Sequence, residues 1–190
     1  MILWLGSGSP WLPEPEKTAL PRCLEAGVTE PRCIVISPWP AENAGPQDIT
    51  AEELAHLYDA ALESLPVDPD RVSIAAWGAG VEPAAEFAVT YPEKLSAVCL
   101  ISCYPYQWYG REGLLSMPVE LLAGADEVTA QGQWQICQRI RDAGGDCHFH
   151  RLSGYGHEVG DQIFADETLR LTEWLMAQTR GQLRSGDIFR

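Results

Sequence analysis

The chain has 190 residues, 46% of them hydrophobic and 21% charged, a balance that belongs to a folded domain and excludes a disordered one. Its formal net charge of −14 repels phosphate backbones and anionic lipid surfaces, so neither nucleic acid nor a membrane is an expected partner. The apolar start Met1 to Leu5 breaks at Gly6-Ser7-Gly8, too short for a signal-peptide core or a membrane span, and the expected location is cytoplasmic.

In chain order, the unbroken apolar run Ile2 to Leu5 is predicted as the first strand, followed by a helix over Glu14 to Ala26. Cys33 to Ser37 reads as a strand and Ala51 to Leu65 as a helix. Val72 to Ala76 is a short apolar strand after the turn-rich Val67-Asp68-Pro69-Asp70. Beyond a glycine-rich turn, Pro83 to Tyr91 places Ala84, Ala85, Phe87, Ala88 and Tyr91 at helical spacing, and Pro92 stops it. Strands follow at Ala97 to Ser102 and Val119 to Ala123, separated by the aromatic run Tyr104-Pro105-Tyr106-Gln107-Trp108-Tyr109-Gly110. A helix over Ala130 to Ala143, a strand over Cys147 to Leu152 and a helix over Gln162 to Gln178 complete the series.

This alternation specifies an α/β protein: a three-layer α/β/α sandwich around a mainly parallel sheet of about six strands, both faces covered. Residues 1–180 are expected to form one domain without a large lid domain. Residues 181–190 lose periodicity and read as a tail, frayed or packed on a partner.

In such sheets ligands gather at the carboxyl ends of the strands. The loops and strand ends there carry Leu5, Trp39, Trp77, Ser102, Cys103 and Tyr104, the candidate pocket-lining residues. The six cysteines show no ligand-like spacing and read as small packed hydrophobes, so disulfides and a cysteine metal site are not expected. His148 and His150 alternate on one strand and share a face, but two ligands without a third make a weak site. No metal is therefore expected, and no cofactor, since no phosphate-cradling loop is present.

The stretch Ile74-Ala75-Ala76-Trp77-Gly78-Ala79-Gly80 is a strand, a tight turn and the start of a helix. It has the layout of a nucleophile elbow, G-x-S-x-G, but reads A-x-G-x-G, with Gly78 where the serine would stand. Downstream, Val119 to Val128 is a strand ending in the acidic loop Asp126-Glu127, and Leu152-Ser153-Gly154-Tyr155-Gly156-His157-Glu158 sets a histidine in a glycine-rich loop. Elbow position, acid and histidine thus occur in that order.

Together with Val67-Asp68-Pro69-Asp70-Arg71-Val72, Tyr91-Pro92-Glu93-Lys94-Leu95 and Ala143-Gly144-Gly145-Asp146, the pattern resembles α/β-hydrolase esterases. The branch is that of carboxylesterases, dienelactone hydrolases and predicted peptidases, over about Met1 to Arg180. The resemblance implies that residue 78 is the nucleophile position, His157 the general base and then acid, and Asp126 the carboxylate that orients the imidazole. Glu127 or Asp161 could fill the last role instead. Backbone N–H groups of Ala79 and near Ser7 would form the oxyanion hole.

Three positions depart from that pattern: Gly78 offers no oxygen, Ala76 replaces the first elbow glycine, and Leu5 replaces the histidine of a His-Gly-x-Gly segment. Departures at separated sites favour inherited loss over a laboratory change. Removing the serine of such a triad costs on the order of a million-fold in turnover. Ser7, Ser102 and Cys103 lack elbow-like flanks as displaced nucleophiles.

The expected protein is thus a non-catalytic or impaired homologue that binds a small molecule, an ester-like substrate or a partner. The alternative is a hydrolase, or a lyase- or oxygenase-type enzyme, that uses His157 and Asp126 without a covalent intermediate. Homo-oligomerisation is left open.

Overall fold

A computed structural model describes residues 1–6, 33–40, 44–102, 116–154, 156, 171–182, 184 and 186. Six parallel strands form one sheet in the order β2-β1-β3-β4-β5-β6. They are β1 (Ile2–Leu5), β2 (Val35–Ile36), β3 (Ser73–Trp77), β4 (Ala97–Ile101), β5 (Val119–Gly124) and β6 (Cys147–Leu152). The described helices are α1 (Ala51–Ser64), α2 (Val81–Thr90), α3 (Ala130–Asp142) and α4 (Leu171–Ala177). The expected strands and helices are all met except where they fall outside the described residues, as Glu14 to Ala26 and the first part of Gln162 to Gln178 do. The second strand is shorter than expected, because its parallel pairing with β1 spans only Ile2↔Val35 and Leu3↔Ile36.

The period-two alternation of each strand sorts the core into two layers. On one face Leu3, Leu5, Ile74, Ala76, Val98, Leu100, Val119 and Leu121 pack with the buried sides of α1, α2 and α3. On the other, Ile2, Trp4, Ala75, Cys99, Ile101 and Leu122 meet Leu171, Trp174 and Leu175 of α4. Ser73 points to this second face, and its hydroxyl donates to the carbonyl of Leu175 at 2.9 Å, fixing α4 over the middle of the sheet.

The helix ends are set locally. Thr50 caps α1: its Oγ1 accepts from the Glu53 N–H at 3.2 Å while the Glu53 carboxylate accepts from the Thr50 N–H at 2.8 Å, a reciprocal capping box. Toward the other end of the chain, two arginines bind the body of the protein. Arg180 bonds to Asp70 and to the Glu93 carbonyl, and Arg184 reaches Asp146, Glu120 and the Val119 carbonyl. The Arg184 guanidinium also lies 5.3 Å from the centre of a Trp174 ring, so charge and stacking act together.

Candidate active site

Parallel strands place their carboxyl ends along one edge, where β1, β3, β4 and β5 deliver the residues singled out above. Gly78 follows β3 directly and has φ +55°, a left-handed conformation that favours glycine. It opens a single 3-10 turn, Gly78–Gly80, whose first carbonyl accepts from the Val81 N–H as α2 begins. This is the strand-turn-helix geometry of the elbow, with no side chain at its apex. Ala79, expected to offer an oxyanion N–H, lies half-buried in the same turn.

The last glycine of the motif has a different cause. Gly80 has an ordinary φ of −75°, but a Cβ there would overlap the carbonyl of Leu5. Its lack of a side chain lets the start of α2 close on β1. Leu5, expected to line a pocket, is buried and packs in the core with α1 and α2. Trp77 is half-buried against the α4 face, and Trp39 is likewise half-buried.

The acid loop separates its two carboxylates. The Glu127 N–H donates to the Gly124 carbonyl at 3.1 Å, closing a turn whose tip is Ala125-Asp126. Asp126 is therefore exposed, whereas Glu127 turns back and is buried to 6% exposure. The Ser102 hydroxyl donates to Glu127 Oε2 at 3.0 Å, and the Thr129 hydroxyl donates to Oε1. Gln133 Nε2 reaches Thr129 Oγ1 at 3.5 Å from the next turn of α3. Each oxygen of Glu127 thus accepts a hydrogen bond from a hydroxyl, which holds the carboxylate in one orientation.

Ser102 is fully buried at the end of β4 and has φ +56°, the only non-glycine residue with positive φ among those described. Such a conformation is costly for a residue with a Cβ and persists where surrounding bonds over-determine it. Here its N–H donates to the Leu122 carbonyl at 2.9 Å while its side chain holds Glu127. The sequence singled out Ser102, but Thr129 and Gln133 were missed; a threonine just before a helix reads as a cap, which hides this bond. His157, Ser7, Cys103, Tyr104 and Asp161 lie outside the described residues.

The open parallel sheet with its flanking helices has the α/β-hydrolase fold, which solved structures share. SOBER1 of Arabidopsis thaliana aligns with a TM-score of 0.59 at 16% identity, over 86% of this chain and 93% of its own. Esterase PE8 gives 0.59 at 17% identity, covering 86% and 87%, and an esterase of Pyrobaculum calidifontis gives 0.60 at 13%, covering 87% and 70%. At these identities the likeness speaks for the fold. No protein-family model matches the sequence, and no curated protein matches it either. Among the described residues no helix is long and apolar enough to cross a membrane.

Proposed function

We propose that this chain is an esterase-fold protein that has lost its covalent chemistry and uses the former active site to hold a small, ester-like molecule. The observation that carries this is Gly78: the apex keeps φ +55° but supplies no nucleophilic atom. The acid in this reading is Glu127 in place of Asp126, because Glu127 is the carboxylate that is buried and held on both oxygens. His157 would be its partner.

The retained acid favours one second reading, in which Glu127 and His157 activate water or a bound substrate without a covalent intermediate. A short-chain aryl ester separates the two. The first reading expects no turnover by the chain as it stands and turnover on Gly78→Ser. Turnover by the unmodified chain that disappears on His157→Ala would overturn it in favour of the second.

A further inference from the structure

We propose that Glu120, His148 and His150 form a binding site for a divalent transition-metal ion, with zinc the ion that best fits the donors. The site is independent of the elbow: Glu120 is the second residue of β5, toward the end of the sheet opposite Gly78. It does not rest on the function proposed above.

The parallel register creates the cluster. Glu120 pairs with His148 and Leu122 with His150, so all three donor side chains leave the same face of neighbouring strands. Glu120 Oε2 lies 2.6 Å from His150 Nε2, and one ligand atom from each of the three residues lies within 4.8 Å of the others. Zinc bonds to nitrogen and oxygen of about 2.0–2.2 Å require donors roughly 3–3.5 Å apart, so a small rotation of His148 completes the set. His148 is half exposed and has room to make that rotation, while Glu120 is fully buried and His150 partly buried. The third ligand that the two histidines lacked in the sequence is thus supplied by the adjacent strand.

The surroundings are those of a held ligand set. Arg184 binds Glu120 Oε1 and leaves Oε2 directed at His150, an outer contact that fixes the carboxylate. Asp146, whose carboxylate accepts from Arg184 Nε at 2.9 Å, has Oδ1 3.7 Å from His148 Nε2 and is placed to orient that ring or to supply a fourth oxygen. With neutral imidazoles, the two carboxylates exceed the one guanidinium by a negative charge, which a cation offsets. Imidazole with carboxylate is a donor set suited to zinc, and not to magnesium or calcium. Bound there, the ion would tie β6 to β5 and, through Arg184, to the tail.

The test uses the full chain, freed of metal with a chelator and dialysed, then titrated with zinc by calorimetry and with cobalt by visible absorption. One ion per chain is expected, with a Kd tighter than about 100 μM. His148→Gln and His150→Gln should each weaken binding by about tenfold or more, whereas His56→Gln and His157→Gln, at the other two histidines, should not. Zinc should also raise the unfolding temperature of the parent but not of His148→Gln, an exposed substitution that leaves the fold intact. Weaker binding by the parent would overturn the site, as would binding that survives both β6 substitutions. A cobalt spectrum with thiolate charge-transfer bands would overturn it too, by moving the ion to cysteine.

Discussion

The two elbow glycines are glycine for different reasons, and alanine at each should reveal the difference. At Gly78 the obstacle is conformational: φ is +55°, and an L-residue held there costs about 1–2 kcal/mol. Part of this is offset, because alanine reduces the freedom of the unfolded chain by about 0.4–1 kcal/mol. Gly78→Ala should therefore lose about 1 kcal/mol. At Gly80, φ is −75° and any residue accepts it, but a Cβ would overlap the carbonyl of Leu5. Leu5 is a buried member of β1, paired through Leu5↔Ala76, so it cannot retreat without shifting the sheet. Overpacking of this kind costs roughly 1–3 kcal/mol, and a backbone neighbour puts Gly80→Ala at about 3 or above. Urea unfolding of both variants and the parent gives the two losses directly. A Gly80→Ala loss equal to or smaller than that of Gly78→Ala would refute the close approach of α2 to β1.

Three further outcomes follow from other parts of the molecule. Glu127→Ala deprives the Ser102 and Thr129 hydroxyls of their acceptor and should cost about 1–3 kcal/mol in urea unfolding, whereas Asp126→Ala at the exposed turn tip should stay within about 0.5. Arg184→Ala leaves Glu120 buried without its guanidinium and should cost about 3 kcal/mol in metal-free buffer, with a loss under about 1 counting against the clamp. In acid, Glu53 should report on the cap of α1: backbone and side-chain hydrogen bonds from Thr50 hold its carboxyl below the usual glutamate value. A folded-state value below the unfolded one adds stability above the unfolded value, and that stability is lost as pH falls through the folded one. Thr50→Ala should therefore show a smaller loss of stability between pH 5 and 3 than the parent, followed by circular dichroism.

Sequence periodicity located the sheet because the central strands β1, β3, β4 and β5 carry the apolar runs that a two-sided core demands. Gly78 was legible for a related reason: a glycine between a buried strand and an amphipathic helix marks a turn with positive φ, and φ +55° is what occurs. Which of the adjacent carboxylates Asp126 and Glu127 is buried was not, since only a hydrogen-bonded turn, Glu127 N–H to Gly124 carbonyl, decides which of them faces inward. Glu120 was hidden more deeply. It interrupts the apolar run of β5 in a way that looks accidental until His150, 30 positions away, and Arg184, 64 away, are brought beside it. Arg184 likewise looked like part of an aperiodic tail, because a single long side chain holding two carboxylates leaves no periodic trace.

The proposal that the elbow has lost its nucleophile can be tested most directly by mass spectrometry after exposure to a reactive aryl phosphonate, which modifies activated serine. The unmodified chain should gain no adduct, and Gly78→Ser should gain one, mapped to residue 78 and lost when His157→Ala is added. An adduct on Ser102 or another residue of the unmodified chain, or a Gly78→Ser chain that stays unlabelled while folded, would contradict the proposal.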